Sequence, residues 1–436
     1  EQTRDGTTRT TSSTKAGGLS PFKGYRSVVY ITGILVFCLT FVFWGEENKM
    51  SSEMGYVVPG PEGAPQAPFV MKGGSPVTAL GSDMFRHLAL TEPGNVVISP
   101  LSVFVALSMA TAGTTQGGKA HGELRSMLKH GLVGEEDAVH DWVKVMLSAS
   151  RQSDPGVQLE VANSLWAAKD VKPEFVNVCK SVFDAEAFPL GGKDPVNKWV
   201  DSKTKGKIPA ILAEDPLGPA VLVNAVFFKG VWGDKFDEKQ SVSGEFTGFG
   251  GKSMPATLMY KDQKKMLYTE TPNAHMAHLP YGTSDRFGAL VVLPKEKGQD
   301  GMGKTITDLF DGKGWEAAVA GMGKRHVKLK LPRFKVEYGV KSLKDTLKAL
   351  GVSAAFEGGH FSRMTSDPSA FIEDVYHKAV IEVNEEGTVA AAATAVAMTR
   401  SLPPPPVEMT VDRPFLFAVY DKESKSILFL CKVETV

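Results

Sequence analysis

Short apolar runs of the kind that form β-strands recur along the chain and are most frequent in its second half. They predict strands at residues 158–162, 220–228, 289–293, 327–334, 379–383, 415–420 and 426–433. Residues 221–228 are apolar except for Asn224, which predicts a strand that is covered on both faces of its sheet.

Small and apolar residues at 101–112 predict a buried helix, and Ser99-Pro100 in front of them supplies a typical first turn. Further helices are predicted at residues 197–203 and 342–350. The predicted helices begin early in the folded part, whereas the predicted strands concentrate late. This order favours an α+β fold over an alternating α/β fold.

An uncharged apolar run occupies residues 28–44. Its seventeen residues reach the lower limit for a helix that crosses a membrane. Five basic residues precede the run and Glu46 and Glu47 follow it, which predicts a signal-anchor with a cytoplasmic N-terminus. A cleaved signal peptide is the alternative, although its leader would be long and no small-x-small cleavage site follows. A buried core helix is the third interpretation.

These patterns divide the chain into four parts. A basic tail at 1–27 precedes the signal-anchor or signal sequence at 28–44, and a linker rich in Gly and Pro follows at 45–76. One folded domain then extends from residue 77 to residue 436. We therefore expect a domain outside the cytoplasm, either anchored to a membrane through the N-terminal helix or secreted.

Composition excludes some classes of protein. The 49 basic residues equal the 49 acidic residues, and this balance gives no reason to expect a nucleic-acid partner. The three cysteines are Cys38 in the apolar run and Cys179 and Cys431 in the folded part. A disulfide between the last two stays open, but two free buried thiols are the favoured interpretation.

The segments that resemble enzyme motifs lack residues that those motifs require. Residues 248–253 (GFGGKS) resemble a phosphate-binding loop, but that motif needs glycine where the chain has Phe246, so a surface turn is expected. The sequence contains no H-E-x-x-H or G-x-S-x-G motif. His121, His130 and His140 lack the spacing of metal ligands and are interpreted as solvated side chains. We expect no metal, no cofactor and no catalytic activity.

Six segments of the folded part resemble motifs that are characteristic of the serpin family. They are residues 95–102 (NVVISPLS), 197–208 (NKWVDSKTKGKI), 222–232 (LVNAVFFKGVW), 331–335 (LPRFK), 377–388 (HKAVIEVNEEGT) and 412–417 (DRPFLF). The segments occur in the order found in the family and cover about residues 77–436. One departure is Val389, where the family usually has Glu.

The resemblance implies the serpin fold: mostly antiparallel central sheets, a helical cluster and a mobile reactive-centre loop. It also implies a monomeric inhibitor that traps a serine protease as an acyl-enzyme while its own cleaved loop inserts as a strand. Two alternatives remain, a non-inhibitory serpin that acts as a carrier or chaperone and a membrane-anchored binding module.

Residues 385–401 (EEGTVAAAATAVAMTRS) correspond to the reactive-centre loop, although their composition alone would suit an alanine-rich helix. Small side chains can enter an existing sheet without overpacking it. In an inserted strand, Thr388, Ala390, Ala392 and Thr394 would face the core and the residues between them the other side. The hinge residues implied are Glu385, Glu386, Gly387, Thr388, Ala390, Ala391, Ala392 and Ala393.

The bond that the protease attacks is predicted between Arg400 and Ser401. An arginine suits the acidic primary pocket of a trypsin-like protease. Thirteen residues separate Arg400 from Pro414, as in arginine-directed members of the family. The usual family spacing, counted forward from Gly387, points instead to the bond between Ser401 and Leu402. The position of the reactive bond therefore stays open by one residue.

The resemblance also assigns two groups of supporting residues. The shutter, where the central strands part, would contain Ser99, Ser102, Asn224 and His377. The breach, at the end of the sheet where the loop begins to enter, would contain Trp232, Arg333 and Glu385. Ordinary buried polar residues are the alternative interpretation for each of them.

Overall fold

The computed structural model describes residues 74–436 apart from 130–132, 135, 152–153, 155, 169–170 and 387–404. No helix within these described residues is long and apolar enough to cross a membrane. The apolar segment predicted at 28–44 lies outside them, as do the N-terminal tail and the linker up to residue 73. The signal-anchor therefore stays a prediction.

The described part of the chain forms nine α-helices, which include the three that the sequence predicted. They are α1 (Pro76–Thr91), α2 (Pro100–Gly113), α3 (Lys119–Met127), α4 (Glu136–Arg151), α5 (Pro173–Phe183), α6 (Lys193–Lys203), α7 (Gly298–Phe310), α8 (Gly314–Ala320) and α9 (Lys344–Ala349). Short 3-10 turns occur at Glu238–Gln240 and Ala354–Phe356.

Fourteen strands, counted over the same described residues, form two sheets. They are β1 (Val96–Ile98), β2 (Val157–Ala167), β3 (Glu186–Pro189), β4 (Ala220–Gly230), β5 (Val242–Thr247), β6 (Ser253–Glu270), β7 (Ala274–Pro280), β8 (Phe287–Pro294), β9 (Gly323–Pro332), β10 (Phe334–Ser342), β11 (Asp374–Val383), β12 (Val407–Thr410), β13 (Phe415–Asp421) and β14 (Ser426–Val433). The larger sheet has the order β1-β14-β13-β8-β7-β6-β9-β12, with β5 paired to β6. Most neighbouring pairs are antiparallel, as expected for an α+β fold.

The smaller sheet has five strands in the order β10-β11-β4-β2-β3. Its central pair, β11 and β4, is parallel, with Asp374 opposite Val221 and Val380 opposite Phe227. The outer neighbours β10 and β2 pair antiparallel with β11 and β4. The centre of this sheet is therefore a parallel pair between two antiparallel ones.

Helix α2 packs between the two sheets, against β14 on one side and β2 and β4 on the other. Ser99 caps it, because its side-chain oxygen accepts a hydrogen bond from the Ser102 amide. Every residue of α2 is buried, which explains its small and apolar composition. The sequence prediction of a buried helix that begins after Ser99 is confirmed.

One strand prediction was wrong. Residues 327–334 were expected to form a single strand, but β9 ends at Pro332 and β10 begins at Phe334 in the other sheet. Arg333 lies at the crossing, and its amide donates to the Thr257 carbonyl. Because proline cannot donate a ladder hydrogen bond, it is suited to the end of a strand.

The two cysteines of the folded part are free and buried, which confirms the favoured interpretation. Burial raises the pKa of the Cys179 thiol to about 12 and that of Cys431 still further. Both sulfurs are therefore protonated near pH 7. Residues 248–252 form the turn between β5 and β6, as expected, and Ser253 is the first residue of β6.

Candidate functional site

A buried hydrogen-bonded network lies at the centre of the five-stranded sheet. His377 on β11 and Asn224 on β4 are cross-strand neighbours, and His377 Nδ1 lies 2.5 Å from Asn224 Oδ1. The Ser99 amide donates to His377 Nε2 at 3.2 Å. Asn224 Nδ2 donates to the Ser102 carbonyl at 3.0 Å and also contacts the Ser102 hydroxyl. The structure therefore brings together the four residues Ser99, Ser102, Asn224 and His377.

These hydrogen bonds determine the form of the histidine. Because Nε2 accepts from the Ser99 amide, the single proton of the neutral ring lies on Nδ1 and is donated to Asn224 Oδ1. Burial lowers the pKa of His377 to about 3. The ring is therefore neutral near pH 7, and each of its nitrogens has a partner.

Asn163 on β2 is a fifth member that the sequence analysis missed. Its Oδ1 accepts from Asn224 Nδ2 at 2.6 Å, and its side chain is buried. Asn163 also lies directly opposite Asn224 in the β2–β4 ladder. The available signal was an amide within the apolar run LEVANSLWA, one residue beyond the predicted strand 158–162.

An ion pair lies where β11 ends. Arg333 donates from Nε and Nη2 to the two carboxylate oxygens of Glu385, at 2.9 and 2.8 Å. Ser241 donates to the same carboxylate at 2.8 Å. Burial alone would raise the pKa of Glu385, but these hydrogen bonds outweigh it and lower the pKa below its ordinary value. Glu385 is therefore ionised near pH 7 although it is buried.

Trp232 lies beside this ion pair. Its indole N–H donates to the Asn384 carbonyl at 2.8 Å, next to Glu385 in the chain. Its ring stacks on Tyr281, with centroids 4.3 Å apart and an interplanar angle of 11°. The structure thus places Trp232, Arg333 and Glu385 around one end of the sheet.

The two central strands of the five-stranded sheet, β4 and β11, stop pairing with each other at the end of the sheet beside Trp232, Arg333 and Glu385. The β11–β4 ladder ends with Val380 opposite Phe227. Beyond that point, residues 381–383 pair with β10 and residues 228–230 pair with β2. The parting of the strands lies directly before the residues at which the chain leaves the sheet.

The chain leaves β11 at Val383, and the next strand within the described residues is β12, on the edge of the larger sheet and parallel to β9. Residues 387–404 lie between and are outside the described residues. They contain most of the predicted hinge and the predicted bond: Gly387, Thr388, Ala390, Ala391, Ala392, Ala393, Arg400 and Ser401. Of the hinge, the structure places Glu385 and Glu386, whose amide is bonded to the Asn384 side chain.

Among the described residues, no group of His, Cys, Asp and Glu has the arrangement of a metal site. One part of the histidine interpretation was wrong, because His121 is buried rather than solvated. His121 Nε2 lies 3.9 Å from a carboxylate oxygen of Glu136, and Arg363 binds the same carboxylate. Its surroundings are those of an interhelical contact. His130 lies outside the described residues.

Comparison with known proteins agrees with this architecture. The sequence model of the family described as "Serpin (serine protease inhibitor)" matches residues 75–436. Serpin A3-6 of Bos taurus is 31% identical over 82% of this chain and 86% of its own length. Iripin-5 of Ixodes ricinus is 34% identical over 80% of this chain and 91% of its own.

Solved structures show the same fold. The native state of the thermophilic serpin tengpin superposes with a TM-score of 0.72 at 25% identity, covering 83% of this chain and 94% of that protein. The native stressed form of Arabidopsis AtSerpin1 gives 0.73 at 27% identity, covering 82% and 96%. The chain belongs to the serpin family. Members of this family are generally protease inhibitors rather than enzymes.

Proposed function

We propose that this chain is a suicide-substrate inhibitor of trypsin-like serine proteases. In this proposal the protease cleaves the bond between Arg400 and Ser401, and the freed loop inserts between β4 and β11 before the acyl-enzyme can be hydrolysed. The observation that carries the proposal is the parallel pairing of β4 and β11, since the loop follows β11 directly.

The strand directions support insertion at this position. A segment that leaves β11 and turns back at Gly387 runs antiparallel to β11. It also runs antiparallel to β4, because β4 and β11 are parallel. Insertion therefore replaces one parallel ladder with two antiparallel ladders, and antiparallel pairing is slightly more stable per residue.

The lengths also agree. Residues 388–399 span about 40 Å as an extended strand, and β4, from Ala220 to Gly230, spans about 36 Å. The inserted segment would therefore extend along the whole of β4. A protease attached through Arg400 would be carried from the breach end of the sheet to the opposite end.

The network at the centre of the sheet is proposed to act as the shutter. A strand that enters between β4 and β11 must break the bond between Asn224 and His377, which crosses that boundary. The bond from Asn224 to Asn163 lies on the β4 side and can persist. Each buried hydrogen bond contributes about 1 kcal/mol, so this network adds to the barrier that holds the native state in a kinetic trap.

The ion pair between Arg333 and Glu385 is proposed to act as the breach, together with Trp232. Both the carboxylate of Glu385 and the carbonyl of Asn384 are held by residues from outside β11. These contacts fix the chain at the point where the loop leaves the sheet. They must rearrange when the residues after Glu386 turn back, so they delay insertion until cleavage has released the loop.

The chemistry of trapping begins as an ordinary proteolysis. The protease serine attacks the carbonyl carbon of Arg400, the bond to the Ser401 nitrogen breaks, and an ester joins the protease to Arg400. Water would normally hydrolyse that ester. Insertion carries the protease away and distorts its active site, so the ester persists.

We also propose that this inhibitory domain lies outside the cytoplasm. The support is the charge asymmetry around residues 28–44, where basic residues precede the apolar run and acidic residues follow it. In this proposal the linker between the membrane and the domain begins at residue 45 and ends before Ser75, because Ser75 caps α1 and Pro76 is its first residue. A secreted form, produced by cleavage of the N-terminal segment, has the same topology.

Incubation with trypsin tests the inhibitory function. We expect a complex that survives denaturing electrophoresis and a released C-terminal peptide that begins at Ser401. A peptide that begins at Leu402 would move the reactive bond by one residue. Cleavage without a stable complex would identify a non-inhibitory serpin, and the absence of both cleavage and complex would favour a binding module.

A further inference from the structure

The most exposed large apolar residue in the described part of the chain lies at the end of the five-stranded sheet opposite the breach. Leu217 is 94% exposed, whereas the next in order, Leu90, is 51% exposed. A single exposed leucine is common on protein surfaces, so its exposure alone indicates no site. The position of Leu217 beside the two central strands, however, relates it to the proposed inhibitory mechanism.

Leu217 lies in the short segment that leads into β4. Residues 216–219 (PLGP) immediately precede Ala220, the first residue of β4. Glu373 immediately precedes β11, and its amide donates to the Ala220 carbonyl at 2.7 Å. The segment therefore lies where β4 and β11 begin to run side by side, at the end of their boundary that is farthest from the breach.

The segment is held on the β4 side of this boundary. The Lys193 amide, at the start of α6, donates to Asp215 Oδ1 at 2.8 Å. The Ala168 amide, directly after β2, donates to the Pro219 carbonyl at 2.7 Å. Two prolines within the segment restrict its backbone further. An apolar side chain on a restrained loop binds a partner with a smaller loss of conformational entropy than one on a free loop.

Glu373 holds the same segment from the β11 side. Its carboxylate accepts hydrogen bonds from the Leu217 and Gly218 amides, at 3.2 and 2.6 Å. These two bonds cross the boundary between β4 and β11, so a strand that reaches this end of the sheet must break them. The bonds to Lys193 and Ala168 do not cross the boundary and can persist. After insertion, the segment would therefore stay attached to β4 and lose its connection to β11.

The length of the inserted strand would bring the protease to this segment. Residues 388–399 span about 40 Å as a strand and β4 spans about 36 Å, so an insertion that starts beside Gly230 ends about one residue beyond Ala220. Residue 400 would then lie level with residues 216–219. Because the ester joins the protease to Arg400, the active-site face of the protease is held beside this end of the sheet at a high effective concentration.

We infer that Leu217 contacts the acylated protease in its final position and packs against an apolar part of the protease surface around the active site. The inference rests on the proposed inhibitory function, because only loop insertion delivers the protease to this end of the sheet. Phe371, two residues before Glu373, is also partly exposed and is available to extend the contact. The contact opposes the return of the protease to a position in which its active site can re-form, so it slows hydrolysis of the ester.

The lifetime of the complex with trypsin tests this contact. Hydrolysis adds water across the ester between Arg400 and the protease serine and releases active trypsin, which a chromogenic substrate detects over time. We expect Leu217→Ser to shorten the half-life of the complex at least about fivefold, since burial of a leucine side chain contributes more than that factor to binding. The rate of complex formation should stay within about twofold of the wild type, because the contact forms only after insertion.

Two further variants serve as controls. Leu90→Ser removes the same side chain from α1, outside this sheet, and should leave the half-life within about twofold of the wild type. Leu217→Met keeps an apolar side chain of similar volume and should retain most of the lifetime. Equal shortening by Leu217→Ser and Leu90→Ser would overturn the proposal. The melting temperature of uncleaved Leu217→Ser should match that of the wild type, since the side chain is exposed.

The outcomes separate this inference from the function on which it rests. If the wild type forms no stable complex with trypsin, the inhibitory function is rejected and the inference is rejected with it. If wild type and Leu217→Ser form complexes of equal half-life, the inhibitory function stands and only the contact is rejected. If the half-lives are equal and sedimentation shows a wild-type dimer but a monomeric Leu217→Ser, the exposed leucine joins two copies of this chain instead.

Discussion

His377 and Asn224 face each other across the boundary between β11 and β4, and their side chains are hydrogen bonded over 2.5 Å. The bond joins the two strands that must separate if the loop inserts. It is also isolated from solvent, because both side chains are buried. In the proposed mechanism, the barrier to insertion and the stability of the native fold therefore depend on the same pair of residues.

The neutral state of His377 predicts a loss of stability in acid. The unfolded chain binds a proton at this residue below about pH 6.5, whereas the folded protein does so only near pH 3. Between these values the unfolded state holds more protons, so the free energy of unfolding falls as the pH decreases. The stability that the neutral His377 contributes is fully present above about pH 6.5. Below that pH, the free energy of unfolding falls with a slope that approaches 1.4 kcal/mol per pH unit.

Denaturant unfolding at several values between pH 4 and pH 7 measures this slope. His377→Gln removes the titrating group and keeps a hydrogen-bonding side chain, so its unfolding free energy should depend less steeply on pH. The comparison isolates His377 from other titrating groups such as His278. Identical pH dependence in the two proteins would mean that His377 is charged or solvent-accessible in the native state.

Thr388 provides the test of loop insertion. Thr388→Arg would place a long cation where a small side chain must enter the sheet. An unpaired buried charge costs several kcal/mol, on a scale of about 3–5 kcal/mol for a broken buried pair. That cost slows insertion but not the attack on Arg400. The variant should become a substrate that is cleaved at the same bond without a stable complex, as seen by electrophoresis.

Val389→Arg is the matched control, because residue 389 projects to the opposite face of an inserted strand. It should retain more inhibition than Thr388→Arg. Cleavage should also raise the melting temperature of the wild type, since the inserted strand completes the sheet, and raise that of Thr388→Arg less. Efficient trapping by Thr388→Arg would favour a reversible lock-and-key inhibitor instead.

Arg400 predicts the choice of protease. Arg400→Leu removes the cation that an acidic primary pocket binds, so the second-order rate constant for trypsin inhibition should fall at least about a hundredfold. Inhibition kinetics with trypsin measure the change. Arg400→Lys is the control, because it keeps the positive charge, and its rate constant for trypsin inhibition should fall much less. If Arg400→Leu inhibits trypsin normally, the protease attacks a different bond.

The breach ion pair predicts non-additive effects on stability. Arg333→Met leaves the buried Glu385 carboxylate without its main partner and should lower the free energy of unfolding by about 1–3 kcal/mol. The double variant Arg333→Met, Glu385→Gln removes the charge as well and should recover part of that loss. Thermal melts of the uncleaved protein measure both, and strictly additive losses would mean that the two residues act independently.

Much of the fold could be predicted from local patterns. Strand β14 was predicted with its observed bounds and β13 within one residue, because a continuous apolar run is a property of the chain itself. The start of α2 followed from Ser99-Pro100 for the same reason. The break at Arg333 was missed because it depends on which sheet each side of the residue joins.

The sequence by itself determined the family, the apolar strands and the small residues of the loop, since motif order and side-chain size are written in the chain. Only the tertiary structure decided that Asn163 joins Asn224 and His377 in one buried network. Ser99 and His377 are 278 positions apart in the chain. Their contact depends on strand register and on the packing of α2 between two sheets, and no local periodicity encodes such long-range pairing.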